Sequence, residues 1–255
     1  MIVFVFDNTF EGLLTTVFES YSRKMVPEKI LTEQQQIPLF TDHIIRITTD
    51  EEKAQRVWKG LKKKISPSAC TMVAVTFLAD VEDVGGLLFR YICKAINAPK
   101  SIETNFVDPD VLETSKLYKK VCKESHRIEQ FVRFQKSADG IFFAPVSPQH
   151  NVLPLKIQHF TDRFADQKWV IYDTRRNYGF YYDLEKTQEI TFDNLRIDSH
   201  SGKLDEEAMA SDEKLYQQMW KTYFKAMTIK ERINPKLHRQ HLPRRYWKYL
   251  TEKQK

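Results

Sequence analysis

The hydrophobic pattern changes its period near residue 131, and this change constrains the fold more than any other feature of the chain. Before it, apolar side chains recur mainly at the i, i+3, i+4 and i+7 spacing of amphipathic helices. After it come two pairs of short extended runs, separated by one segment with helical spacing. The order strand, strand, helix, strand, strand predicts an α+β fold with a small antiparallel sheet, a ββαββ-like core.

The residues after this change delimit the expected elements. Ser137-Ala138-Asp139-Gly140 is typical of a hairpin between the first two strands. The expected elements are strands over residues 131–136 and 141–145, a helix over 150–164, strands over 169–172 and 179–182, a further strand at 190–192 and a helix over 206–227. Two prolines, Pro235 and Pro243, then punctuate a basic C-terminal tail that we expect to be helical.

The residues before the change predict a mostly helical N-terminal part that starts with a short strand. Apolar runs predict a strand over residues 2–6 and an extended stretch over 41–48. Helical spacing predicts helices over residues 9–23, 49–64, 69–79, 87–96 and 108–128. We therefore expect a helical N-terminal subdomain over 1–107 and an α+β core with the basic tail over 108–255, or one continuous domain.

Charge is segregated along the chain. Residues 1–110 carry 13 basic and 15 acidic side chains, whereas residues 111–255 carry 27 and 19. The tail from Lys214 to Lys255 alone has 12 basic and 2 acidic side chains. Such segregation predicts a basic surface that attracts a polyanion, although a solvated face with a basic tail gives the same pattern.

The composition excludes several kinds of protein. The 7 glycines contain no G-x-G pair, and so neither a Walker phosphate loop nor a dinucleotide fingerprint is present. The 3 cysteines are widely spaced without any C-x-x-C, which predicts no disulfide and no zinc ribbon. We expect no metal and no cofactor. The chain has no uncharged apolar stretch near the ~20 residues of a membrane span, and we expect a soluble, cytoplasmic protein without membrane contact.

Four clusters alternate cationic side chains with aromatic rings, at residues 126–134, 159–164, 173–178 and 243–249. Arginine can fork onto a phosphate, and aromatic rings give stacking platforms for bases. The candidate nucleic-acid-binding residues are Arg127, Arg133, Arg163, Arg175, Arg176, Tyr178, Arg244, Arg245, Tyr246 and Trp247. The alternative is that these arginines bind a sheet edge while the rings fill the core.

Three histidines and one aspartate are candidates for catalysis. His126 precedes a predicted strand, and His159 lies on the predicted helix that we expect to pack beside it. A pocket with these two imidazoles can bind a phosphate or supply an acid/base pair. His150 and Asp173 lie at the ends of predicted elements. The alternative is that the histidines are hydrogen-bonded to backbone, with His150 capping a helix.

The order and spacing of several motifs resemble a bacterial family associated with DNA metabolism and DNA repair. Those motifs are His126-Arg127 with Phe131-Val132-Arg133-Phe134, Phe143-Ala144-Pro145, Pro148-x-His150-x-Val152-Leu153-Pro154-Leu155, His159-Phe160 with Arg163-Phe164, Trp169-Val170-Ile171-Tyr172-Asp173 with Arg176-x-Tyr178-Gly179, and Asn234-Pro235-Lys236-Leu237 with Pro243-x-Arg245-Tyr246-Trp247. Its members resemble a domain that is fused in some bacteria to a uracil-DNA glycosylase-type domain. They are typically encoded beside a radical S-adenosylmethionine (radical SAM) protein.

The residues and the resemblance together favour a DNA-binding protein in repair or modification of DNA. The resemblance implies that it is accessory to a radical SAM protein, a uracil-DNA glycosylase-type enzyme, or both. One alternative is an enzyme on a phosphorylated or nucleotide-derived substrate, with His126, His150, His159 and Asp173 as its working groups. The other is a scaffold for the radical enzyme, which requires an exposed apolar patch, expected on the N-terminal helices.

Overall fold

A computed structural model describes residues 1–192 and 204–254, which form α-helices and two small β-sheets. The fold is therefore α+β, as the sequence predicts. The chain divides into two units, Met1–Cys122 and Lys123–Lys255. In the described part of the chain no helix combines the length and the apolar composition needed to cross a membrane. The cysteines all lie in that part and are free thiols.

A three-stranded parallel sheet forms the centre of the first unit. Strand β1, Ile2–Phe6, lies between β2, Lys29–Thr32, and β3, His43–Arg46, and is parallel to both. The sequence analysis located β1 and β3 but did not predict β2. That strand has only four residues, and its two buried residues, Ile30 and Leu31, are adjacent. It therefore lacks the alternation of apolar and polar residues by which a strand is recognised.

Four helices cover this sheet and begin close to the predicted positions. They are α1, Phe10–Arg23, α2, Glu51–Lys62, α3, Pro67–Phe77, and α4, Val84–Asn97. The side chains of Thr9, Asp50 and Ser66 accept hydrogen bonds from backbone N–H groups in the first turns of α1, α2 and α3, which fixes where these helices start. Helix α5, Pro109–Phe131, begins in the first unit and ends in the second.

A five-stranded mixed sheet forms the centre of the second unit. Its strands, in spatial and in chain order, are β4, Gln135–Lys136, β5, Phe142–Val146, β6, Trp169–Asp173, β7, Tyr178–Tyr182, and β8, Thr187–Ile190. The expectation of an antiparallel sheet is wrong for one pair, because β5 and β6 are parallel. The chain between them contains helix α6, Ile157–Arg163, and such a crossover carries the chain from the carboxyl end of β5 back to the edge at which both strands start.

Several predicted boundaries in this unit shift. Helix α5 continues to Phe131, and so the first strand shortens to β4. The expected helix over 150–164 divides into a 3-10 turn at Leu153–Leu155 and α6, since Pro154 lacks the backbone N–H that a longer α-helix needs. The last strand lies at Thr187–Ile190 rather than at 190–192.

The basic tail is helical, as predicted. It contains α7, Glu213–Met227, and α8, Pro235–His241. Short 3-10 helices follow at Arg244–Tyr249 and Thr251–Lys253. The predicted helix over 206–227 is shorter at its start, where a 3-10 turn at Glu206–Ala208 precedes α7.

Candidate nucleic-acid interface

Two loops at the carboxyl ends of β5 and β6 form the first part of the candidate interface. Parallel pairing sets Val146 opposite Asp173 at the ends of these strands. The β5 loop, residues 147–152, and the β6 loop, residues 174–177, therefore leave the sheet at the same edge. In open sheets this edge is where ligand-binding loops collect. The predicted residues in or beside these loops are His150, Asp173, Arg175, Arg176 and Tyr178.

Arg176 of the β6 loop pairs with Asp173 and also contacts the β5 loop. Asp173 is fully buried, and its Oδ2 accepts a hydrogen bond from Arg176 Nη1 at 2.6 Å. Its Oδ1 accepts one from the backbone N–H of Arg175 at 2.9 Å. The Arg176 guanidinium also donates to the carbonyl oxygens of Pro148 at 3.2 Å and Gln149 at 2.9 Å. Arg176 thus holds the β5 loop against the β6 loop.

A second buried carboxylate, that of Glu124, connects helix α5, the β5 loop and the tail. Its Oε1 accepts hydrogen bonds from Arg245 Nη2 at 2.7 Å and from the Tyr246 hydroxyl at 2.8 Å. Its Oε2 accepts one from the backbone N–H of His150 at 2.7 Å. Glu124 and Tyr246 are only 2% and 4% exposed. Tyr246 is therefore buried, and its ring is not available to stack on a base as the sequence suggested. The Arg245 side chain is 39% exposed but is held at its guanidinium by Glu124.

The environment of Glu124 favours its charged form. Burial acts to raise the pKa of Glu124, but hydrogen bonds from the backbone of Gln149 and His150 and from Tyr246 and Arg245 outweigh it and lower the pKa below 4.5. The sequence analysis did not single out Glu124. The sequence does contain a signal for Glu124. This charged residue lies three positions after Val121, which is buried, and therefore on the core-facing side of α5.

The Tyr178 side chain adds a further contact between the loops. Its hydroxyl donates to Oδ1 of Asn151 in the β5 loop. Burial, followed by the charge of Asp173, raises the pKa of Tyr178, which keeps the phenol protonated as a hydrogen-bond donor. The hydroxyls of Thr174 and Tyr249 lie 3.1 Å apart, and so the tail also contacts the β6 loop.

Three further predicted arginines donate to acceptors of the protein. Arg133 Nη2 lies 3.0 Å from Oε1 of Glu252. Arg127 Nη2 donates to the carbonyl oxygen of Gln240, and Arg175 Nη1 donates to that of Gln149, both at 3.3 Å. These guanidinium groups stabilise the fold of the second unit, and only part of their donor capacity is left for a ligand.

Arg163 and Arg244 are among the exposed predicted arginines that lie beside aromatic rings. The Arg163 guanidinium carbon lies 5.8 Å from the centre of the Phe164 ring, and that of Arg244 lies 5.9 Å from the centre of the Trp247 ring. Both arginines are exposed. This arrangement offers a phosphate a cation and a base a ring at the same place.

The four candidate catalytic residues fall into an exposed pair and a buried pair. His126 and His159 are exposed, and His126 Nδ1 lies 3.2 Å from Oε2 of Glu129. The Glu129 pKa is lowered by Lys156 and His126 and, to a smaller extent, by the charge of His159, although burial acts to raise it. His150 and Asp173 are buried by contrast. A substrate that reaches the exposed pair therefore does not reach the buried pair directly.

The tail presents a second group of cations and rings. Lys253 Nζ lies 5.1 Å from the centre of the Phe224 ring and 5.6 Å from the centre of the Trp247 ring. The His238 ring lies 5.7 Å from that of Trp247. Sequence reasoning found Trp247 but not Phe224 or Lys253, because only the fold brings α7 beside the final 3-10 helices.

Phe224, His238 and Lys253 line a cleft of about 610 Å³, which we term the tail cleft. Its basic lining consists of Arg232, His238, His241 and Lys253, and Thr228 and Asn234 add neutral hydrogen-bonding groups. Within the described residues no carboxylate lines it, and so its field favours an anion. Burial, and then the charge of Lys253, lower the pKa of His238, which leaves Arg232 and Lys253 as the permanent charges of the cleft.

Comparison with known proteins gives a family and no activity. A family model described as a domain of unknown function, DUF4130, matches residues 82–252. No curated protein matches the chain. Among solved structures, a pGpG-specific phosphodiesterase, PggH from Vibrio cholerae, is similar over 89% of this chain and 100% of its own, with 13% sequence identity and a TM-score of 0.28. A similarity at that score does not establish a shared fold or a shared function.

Proposed function

The chain belongs to the DUF4130 family, a domain family of unknown function, and from its surface we propose that it binds DNA through the unit Lys123–Lys255. The observation that carries the proposal is the position of Lys253 near the rings of both Phe224 and Trp247, beside a cleft that no carboxylate of the described residues lines. A cation among rings binds a phosphate and supports base stacking at one place.

The net charge of the surrounding segment supports the same conclusion. Residues 214–255 carry 12 basic and 2 acidic side chains. Such an excess concentrates DNA near the surface and releases counterions on binding. Among the predicted residues, Arg163, Arg244 and Trp247 are suited to direct contact, whereas Arg176 and Arg245 position the loops and the tail behind them.

We extend the proposal to repair or modification of DNA, with the chain as an accessory to a radical SAM protein, to a uracil-DNA glycosylase-type enzyme, or to both. The support for this role is the resemblance of the sequence motifs. Trp247 and Arg163 belong to these motifs, and Arg244 occupies the unspecified position of the motif that contains Trp247. An enzyme on a phosphorylated substrate is supported less well, because His150 and Asp173 are buried and Asp173 is bound by Arg176.

Fluorescence anisotropy with labelled single- and double-stranded oligonucleotides tests the proposal. We expect binding that weakens about tenfold or more between low and physiological salt, because counterion release dominates such affinities. A dissociation constant above about 100 μM at low salt would overturn the proposal.

Charge-removing variants test which part of the surface is used. In Lys253→Ala and Arg244→Ala we expect weaker binding to all sequences and a salt slope reduced by about 1, as for a lost phosphate contact. Lys116→Ala is the matched control, since Lys116 is 55% exposed and lies in the first unit. Equal effects of Lys253→Ala and Lys116→Ala would show that the tail is not the interface.

A further inference from the structure

A second cleft, of about 810 Å³, lies between α6, the strands β4 and β5, and α7. Five aromatic rings line it, those of Phe134, Phe142, Phe164, Tyr216 and Trp220. Phe134 and Phe164 pack edge to face with ring centres 5.1 Å apart. Tyr216 and Trp220 lie one helical turn apart on α7 and are 57% and 40% exposed. We term this site the aromatic cleft.

Cations lie at the border of the aromatic cleft. Arg133 and Lys136 line it, and the Arg133 guanidinium carbon lies 5.9 Å from the centre of the Trp220 ring. Exposed Arg163 lies beside the Phe164 ring. A phosphate at this border would have cations within reach while its base enters among the rings.

Two carboxylates, those of Asp212 and Glu213, also line the cleft. The Glu213 carboxylate is buried and accepts hydrogen bonds from the backbone N–H of Lys136 and from Gln217. Asp212 occupies the N-cap position of α7 but makes no side-chain capping hydrogen bond there, and its Oδ2 lies 3.6 Å from Lys136 Nζ. The carboxylate is 43% exposed. Carboxylates accept hydrogen bonds from the exocyclic amino groups of bases, above all from cytosine.

We propose that the aromatic cleft holds one unpaired, amino-bearing base of a DNA strand, stacked on Tyr216 and Trp220. This inference rests on the proposed function, because the strand reaches the cleft from the basic tail. Helix α7 lines both the tail cleft and the aromatic cleft, and so it connects the two sites along one surface. Trp220 Nε1 donates to Glu252 at 2.9 Å, and the next residue, Lys253, lies over Phe224 of the same helix.

The combination of rings, cations and a carboxylate selects this occupant over an apolar one. A second copy of the chain would cover the exposed apolar side chains of α7, yet it would also bury Asp212 and Lys136 at the same border, at a cost in desolvation. A single-stranded nucleotide uses the rings, the cations and the acceptor together.

Anisotropy with three single strands of equal length tests the proposal: oligo-dC, oligo-dT and a strand with abasic sites in place of the bases. We expect oligo-dC to bind more tightly than the abasic strand. In Tyr216→Ala the affinity for oligo-dC should fall about fivefold or more, as for loss of one stacking ring. Its affinity for the abasic strand should not change, and Tyr216→Phe should bind oligo-dC as the native protein does.

Leu215→Ala is the matched control, because Leu215 is 61% exposed on the same helix but does not line the aromatic cleft. It should leave both affinities unchanged.

Equal binding of oligo-dC and the abasic strand, or equal effects of the two alanine variants, would overturn this proposal alone. Failure of every strand to bind at low salt would overturn the proposed function as well. A Tyr216→Ala protein that changes from dimer to monomer in gel filtration would assign the cleft to a second copy instead.

Asp212→Asn tests the acceptor. We expect it to reduce the ratio of the oligo-dC affinity to the oligo-dT affinity, since an amide still contacts Lys136 but accepts more weakly than a carboxylate. The lost negative charge should strengthen binding of all three strands alike. An unchanged preference would show that Asp212 does not contact the base.

Discussion

At the scale of single residues, Glu124 explains why Arg245 and Tyr246 of the predicted cluster at residues 243–249 are bound by the protein itself. A carboxylate that is 2% exposed must keep its hydrogen bonds, and Arg245 and Tyr246 supply two of them. The partners are separated by more than 120 residues. Composition shows that arginines and rings occur together, but it does not show which of them meet a buried acid.

Replacement of Glu124 by glutamine should destabilise the protein by about 2 kcal/mol, because it leaves Arg245 without its charge partner and weakens the bond from His150. Urea denaturation at neutral pH measures the loss. The matched control is Glu113→Gln on the same helix, where the carboxylate is 45% exposed and lies 3.8 Å from Lys116. That change should have little effect, and an equal loss in both variants would contradict the role of Glu124.

The same carboxylate should make stability depend on pH. Its pKa is lower in the folded protein than its ordinary value of 4.5, so its contribution is present at neutral pH and is lost as pH falls below about 5, through the folded-state pKa. The difference in free energy of unfolding between native protein and Glu124→Gln should therefore shrink from about pH 7 to about pH 3. A difference that stays constant or grows on acidification would be inconsistent with the lowered pKa.

At the scale of elements, helices were predicted more accurately than strand pairing. Periodicity of the apolar residues located α1 to α5. Strand β2 was missed because it has four residues, and the parallel pairing of β5 with β6 was missed because pairing depends on the path of α6 rather than on the strands themselves.

Close packing within the mixed sheet gives a prediction at Gly179 in β7. A Cβ built there would lie 2.4 Å from the carbonyl oxygen of Ile171 and 2.8 Å from Cδ2 of Tyr172. Gly179→Ala should therefore destabilise the protein by about 2 kcal/mol, because backbone of the neighbouring strand must move. Thermal or urea unfolding gives the value.

Gly60 provides the opposite case. It lies in α2, and a Cβ there would have no atom within 4 Å. Gly60→Ala should stabilise the protein by about 0.5–1 kcal/mol through higher helix propensity. The prediction for the sheet would be refuted by a Gly179→Ala protein that is as stable as Gly60→Ala.

At the scale of the whole molecule, charge separates the two parts of the chain, with 13 basic and 15 acidic residues up to residue 110 and 27 and 19 after it. Hydrogen exchange with saturating single-stranded DNA should therefore slow in peptides from residues 123–255 and stay unchanged in those from 1–110, because long-range attraction concentrates DNA on the basic side. Slowing confined to residues 1–110 would contradict the proposed interface.

The sequence predicted this separation of charge and the basic helical tail, but it did not predict the clefts. Phe224 and Lys253 are 29 positions apart, and Tyr216 faces rings from β5 and α6. Such sites arise from the packing of distant segments, and no local pattern in one segment contains them.

The parallel pairing of β5 and β6 also bears on the order of folding. Strands β6 and β7 are joined by four residues and can pair as a local hairpin, in which Asn177 adopts the left-handed turn conformation (φ 56°). Strands β5 and β6 are separated by a 22-residue crossover, whose closure costs more entropy. The edge where Arg176 meets the carbonyls of the β5 loop should consequently be among the last parts of this sheet to form and the first to open under mild denaturant.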